Sequence, residues 1–317
     1  MPGERIQVID DIKSSLVVMM LLFHSASMLN SAAFADYLQR LAFIHLAFVL
    51  VTGFLLGFHY NVSPVAPAVR TRLLLRGTKI LLLFLAINML FYAIGTFRFS
   101  ELSGYYEEIG GATFFLAIPG KYCAFEILYY IGLFLLTGIV FLSPVPWWVS
   151  IAVGICSMLW GAFPFFNALG WGLLGMGAGT VCQQSSVQQF LIRGKKFCWA
   201  AVPLLAAMQL YFHRPYGILL FIECVLWFLS FICVLQIGGA GRKIALLGKY
   251  TLFAYLFQML LIRFCAKIAT KIHVSDLTRY FFVFILSSIM CYVGIVFLNY
   301  LRKRFSKIDS LYKLIFS

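Results

Sequence analysis

Residues 281–298 read FFVFILSSIMCYVGIVFL and residues 80–90 read ILLLFLAINML; both runs are almost continuously apolar. In lipid such runs need no hiding, but every backbone N–H and C=O must be bonded internally, which leaves helices or a closed barrel. Barrel strands alternate apolar and polar residues. These runs do not alternate, so they are read as helices. The rest of the chain agrees. It has 317 residues, 62% of them hydrophobic and 11% charged, with a mean hydropathy of +0.95. Soluble domains are nearer half apolar and a quarter charged, and this excess is too large for one aqueous core. The expected fold class is all-α: a polytopic transmembrane helical bundle forming a single integral membrane domain over residues 1–317.

A span needs roughly 20 apolar residues. On that measure the sequence predicts about ten, at 12–30, 41–60, 79–97, 122–142, 147–163, 165–182, 198–212, 218–237, 250–269 and 280–300. Ser143-Pro144-Val145-Pro146 predicts a turn, and Pro164 separates the fifth span from the sixth. The sixth carries Gly170, Gly172, Gly175, Gly177 and Gly179, a pattern expected of close helix packing. With the N-terminus inside, the larger share of the 25 Lys and Arg residues falls on inner segments and the C-terminal tail. By the positive-inside rule both termini are then cytoplasmic, and the cytoplasmic (inner) membrane is the expected location.

The same distribution bears on the net charge of +14. The basic residues flank apolar runs and do not form a basic–aromatic module, so nucleic acid is not an expected partner. The eight cysteines make no C-x-x-C and lie in or beside apolar runs, which reads as small buried hydrophobes. No metal is expected. Ser31-Ala-Ala-Phe-Ala35 after an apolar run could mark signal cleavage. But Glu4, Asp10 and Asp11 offset Arg5 and Lys13, whereas a signal peptide wants a positive start. A retained first helix is expected.

Lys13 and His24 are eleven residues apart. At 100° per residue they lie within about 20° of one helix face, separated by a rise of about 16 Å. That is roughly half the hydrocarbon thickness. A cation at the inner surface is thereby paired with a possible proton acceptor near mid-membrane. The plain alternative is a basic end residue and a packing histidine.

Asp10, Lys13 and then His24 after ten further residues resemble the opening of the acyltransferase-3 family and its relatives, the heparan-type glucosamine N-acetyltransferases. Their pattern is an acid, a base three residues on, then ten residues to a histidine. Thr52-Gly53-Phe54-Leu55 is similar to the family's S-G-F-L, and a basic loop follows it, with Arg70, Arg72 and Arg76. Phe125-Glu126-Ile-Leu-Tyr-Tyr-Ile-Gly132-Leu resembles the relatives' F-x-I-L-x-x-I-G-L segment. Leu247-Gly248-Lys249-Tyr-Thr-Leu-Phe-Ala-Tyr255-Leu resembles their late L-G-R-x-S-L-x-x-Y-L. Lys13 stands where the family usually has Arg, Ser14 where it has Gly, and Thr52 where it has Ser. Lys lacks the bidentate fork of Arg.

Ionisable groups within a membrane usually pair or line a cavity. Depth along alternating spans puts His45, Glu126, Glu223 and Arg263 in the outer half, broadly beside His24. They are expected to form either a structural ion pair, Glu223 or Glu126 with Arg263, or a polar acceptor cavity. On the inner side Lys13, Arg72, Arg76, Arg242 and Lys243 are candidates for an anionic cofactor, with Gly238-Gly-Ala-Gly241 allowing close approach of backbone to phosphate. Positive-inside topology alone would account for any one of them.

The resemblance implies an O-acyltransferase that takes an acyl group, acetyl first among the options, from cytoplasmic acyl-CoA to a hydroxyl of an extracytoplasmic glycan, polysaccharide or glycolipid. Membrane lipid surrounds it and no metal is needed. His24 would serve as general base or acyl carrier. Tyr129, Tyr130 and Asn88 are guesses for an oxyanion donor. Two other classes fit the embedded charges: a transporter or flippase, and a catalytically inactive relative serving as an assembly subunit.

Overall fold

The computed structural model describes residues 7–29, 43–60, 66–96, 126–142, 145–159, 164–183, 198–211, 218–238, 246–272 and 274–316, and among them the regular structure is entirely helical. The helices are α1 (Gln7–Leu29), α2 (Ile44–Tyr60), α3 (Pro67–Thr96), α4 (Glu126–Gly138, continued by a 3₁₀ turn at Ile139–Phe141), α5 (Trp147–Leu159), α6 (Pro164–Cys182), α7 (Cys198–Tyr211), α8 (Ile218–Gly238), α9 (Thr251–Ala269), α10 (Asp276–Arg304) and α11 (Ser306–Phe316). Ten of these fall on the ten segments expected from hydropathy. Among the described residues, three stretches are long and apolar enough to cross a membrane: Asp10–Leu29 of α1, α9 and α10.

Two differences from the sequence reading have clear causes. The basic stretch Arg70–Arg76, expected as a loop, is the start of α3. Pro67 occupies its first position, where the missing N–H is no loss and the fixed φ suits a helix. At 30 residues α3 is about 45 Å long, against about 30 Å of hydrocarbon. Arg70, Arg72 and Arg76 all lie in its first ten residues. The second difference is α11, which apolar spans alone did not predict because its charges lower its hydropathy.

The chain divides into two compact units, one formed by residues 45–192 and the other by residues 1–44 together with 193–317. In the first, α2 and α6 approach backbone to backbone. A Cβ added at Gly53 would overlap the carbonyl of Gly172, and one at Gly57 that of Met176. Conversely, one at Gly175 would meet the carbonyl of Leu50 and one at Gly179 that of Phe54. The glycines of the sixth segment thus serve close packing, as their spacing predicted. Gly53 and Gly57 belong to the same seam.

In the second unit α1 packs against α8, α9 and α10. The directions of α9 and α10 relative to it follow from four contacts. Ser14 meets Gly248 just before α9, and Met20 meets Gln258 further along it, so α1 and α9 run the same way. Tyr280, near the start of α10, clusters with Ala26, near the end of α1. Tyr250, just before α9, bonds Asn299, near the end of α10. So α10 runs the opposite way. Cys224, Cys265 and Cys291 are buried here as small hydrophobes, while Cys156 on α5 in the other unit is exposed.

The ends of α10 match their dipole. Ser275 caps the start, accepting from the Thr278 N–H at 3.3 Å, with Asp276 in the first turn and Arg302, Lys303 and Arg304 in the last. Phe305 is extended, and α11 folds back from it. Tyr250 bonds Asn299 and also packs on Tyr312 with ring centroids 5.4 Å apart. In one straight helix residues 299 and 312 would be about 20 Å apart.

Arg302 is the pivot. Its Nε donates to Asp309 Oδ1 at 2.8 Å, and its guanidinium lies 3.8 Å from the Tyr312 ring centre. Lys313 Nζ pairs with Asp309 Oδ2 at 2.6 Å. The hydrogen bonds from Lys313 and Arg302 hold the Asp309 carboxyl below the usual carboxylate range. A carboxyl whose folded pKa is depressed stabilises docking above its unfolded value of about 3.9, and that support is lost as pH falls through the folded value. Hydrogen exchange of α11 amides should therefore be flat from pH 5 to 8, after correction for intrinsic rates, and accelerate below about pH 4. An unchanged protection at pH 3 would remove Asp309 from the latch.

Candidate functional site

The start of α1 is joined to the chain before α9 across 234 residues of sequence. Ser14 Oγ donates to the Asp10 carbonyl at 2.7 Å and accepts the Gly248 N–H at 2.8 Å, both bonds buried. Gly248 is required by closeness: a Cβ there would overlap the Asp10 carbonyl group. Two segments singled out separately in the sequence, Asp10–Lys13 and Leu247–Lys249, therefore form one end of one unit. Ser14, noted only as a departure from the family's glycine, is the residue that links them. This end carries Lys13, half-buried, and Lys249, exposed, whose ammonium lies 5.4 Å from the Tyr250 ring centre.

From this end the Lys13 face of α1 rises through Met20 to His24. Successive offsets of 700° and 400° keep the three within about 40° of one line. Gln258 of α9 meets that line at Met20, its amide nitrogen donating to the thioether sulfur at 3.5 Å, a weak acceptor. Gln258 is fully buried, and its Oε1 has no hydrogen bond among the described residues. His24 is half-buried one turn beyond Met20, its ring edge-on to Phe23 with centroids 5.2 Å apart.

Gln258 is not isolated. Ser25 of α1, Trp227 and Ser230 of α8 and Ser288 of α10 also carry buried polar atoms with no hydrogen bond among the described residues. Glu223, Trp227 and Ser230 recur at i, i+4 and i+7, so they share one face of α8, and Glu223 is buried. An apolar helix cluster tolerates such groups where water or a polar guest serves them. The largely apolar interior of this unit therefore holds several buried polar groups. Sequence reading missed Gln258 because one glutamine in an apolar run has no distinctive spacing. Only the parallel packing of α9 on α1 brings it to Met20, one turn before His24.

The other candidates are placed differently. Arg263 is exposed on α9 and, five residues past Gln258, about 140° around the helix from it. His45, Arg72, Arg76 and Glu126 belong to the other unit. There His45 packs on Tyr130 with centroids 5.8 Å apart, and Arg72 and Arg76 are exposed on the first turns of α3. Glu126 opens α4, its side chain outside the described residues. Arg242 and Lys243 also fall outside them. Tyr129, Tyr130 and Asn88 are in that other unit too, and the Asn88 amide already donates to the Phe84 carbonyl of its own helix at 2.9 Å. No protein-family model, curated protein or solved structure matches the chain.

Proposed function

We propose that the chain is a membrane-embedded acyltransferase that takes an acyl group, acetyl by preference, from cytoplasmic acyl-CoA and delivers it to a hydroxyl of an extracytoplasmic glycan or glycolipid. The observation that carries this reading is the buried Ser14–Gly248 bond. It fixes a two-lysine end to one face of a helix whose other polar landmark, His24, lies about 16 Å further along. Lys13 and Lys249 hold the phosphates. The thioester lies along Met20 toward His24, where Gln258 can turn its amide N–H from the Met20 sulfur to the acyl carbonyl. His24 then takes the proton of the acceptor hydroxyl as its oxygen attacks the thioester carbonyl, the C–S bond breaks, and the departing CoA thiolate receives that proton; in the alternative His24 itself displaces the thiolate and passes the acyl group on to the hydroxyl.

In this reading all ten apolar helices cross the membrane and both termini are cytoplasmic. The parallel course of α1 and α9 supports it. Seven crossings between them return the chain to the side on which α1 began, as that contact requires. A cysteine introduced into 98–121 should react with an impermeant thiol reagent only from the outer side, and one in 183–197 only from the cytoplasmic side. The reverse pattern would overturn the topology.

Removing the Lys13 charge tests the anion site. Lys13→Ala should raise the KM for acyl-CoA about tenfold or more while slowing turnover at saturation less, because the residue holds the remote end of the donor. Lys13→Arg should retain or improve binding. An unchanged KM in Lys13→Ala would take the residue out of the site. Movement of a glycolipid across the bilayer by protein free of acyl-CoA would favour the transporter reading instead.

A further inference from the structure

The surface of α10 carries an exposed apolar stripe, Phe281, Ile285, Ile289, Val293 and Phe297, recurring every four residues as on the lipid-facing side of a span. It does not stop where α10 stops. Phe305 at the bend is 50% exposed, and on α11 Leu311, Leu314 and Ile315 are 56%, 66% and 40% exposed. At 100° per residue these three share one 100° sector of α11, while Asp309 and Tyr312, which hold the helix to Arg302, face another. So α11 is docked by one side and presents a second, apolar side outward. Lys307 lies in the same sector and Lys303 and Arg304 stand just before the bend, all three exposed, while Lys313 pairs with Asp309 on the docked side.

We propose that α11 is an interfacial helix that binds an anionic phospholipid leaflet, with Leu311, Leu314 and Ile315 sunk among the upper acyl chains and Lys303, Arg304 and Lys307 on the lipid phosphates. Three observations select lipid over another protein. The apolar stripe continues from a helix long and apolar enough to cross a membrane. The helix folds back at the end of that span, where headgroups lie. Its surrounding charge is basic, complementary to an anionic surface. The Arg302–Asp309–Lys313 latch sets which face α11 turns to the bilayer, so the surface is built by the fold and not by the helix alone.

The test uses the full chain in lipid nanodiscs. Leu314 is exposed, so Leu314→Trp adds a reporter without disturbing the packed side, and the parent protein supplies the background of its own tryptophans. In discs rich in phosphatidylglycerol, the added fluorescence should be quenched by acyl-brominated lipid roughly twofold or more above its quenching by aqueous acrylamide. In purely phosphatidylcholine discs, or with Arg304→Gln/Lys307→Gln in the same background, that preference should fall. Quenching by acrylamide alone, unaffected by lipid charge, would overturn the proposal. So would protection that rises with the number of chains per disc, which would make a second copy the occupant.

Discussion

His24→Ala should insert and fold normally yet lose acyl transfer by roughly 10²-fold or more, the usual worth of a positioned base. Binding of acyl-CoA should survive, because Lys13 and Lys249 stand about 16 Å away along α1. The contrast is with a packing histidine. His24 is half-buried and edge-on to Phe23, so a structural role would show as lost thermal stability with activity per folded molecule retained. Transfer and unfolding temperature measured on the same purified variant separate the two. Near-normal transfer by a stable His24→Ala protein would leave the acyltransferase reading without its central residue and favour transport.

Gly248→Ala should have the largest effect on stability at the site. The added methyl would overlap the Asp10 carbonyl, and that atom is backbone inside a buried helix turn, so it cannot swing aside. Either α1 or the chain before α9 must shift, and the Ser14–Gly248 bond is lost with the shift. Overpacking of this kind costs about 1–3 kcal/mol, and a buried N–H left without its acceptor about 1–3 kcal/mol more. Ser14→Ala removes only the acceptor and should cost the second part alone, about 1–3 kcal/mol. Thermal unfolding of the two variants in the same detergent checks the order. A Gly248→Ala protein as stable as the parent would mean that the two segments do not meet as described.

Composition and apolar run length were enough to place ten helices, because burial of backbone polar groups in an apolar medium leaves the chain little choice but to satisfy itself locally. Glycine spacing likewise announced that α6 packs closely on a neighbour, since close approach of two helices needs small residues whatever the partner. The face shared by Lys13 and His24 was also legible, because it depends on the rise and turn of a single helix. Partners were not. That Ser14 accepts the Gly248 N–H, that Gln258 meets Met20, and that Tyr312 of α11 packs back on Tyr250 are contacts between segments distant in the chain. Nothing in the spacing along one helix says which neighbour packs on it or in which direction that neighbour runs. Packing decides those relations, through shape at Gly248 and charge at Asp309, and only the tertiary structure records them.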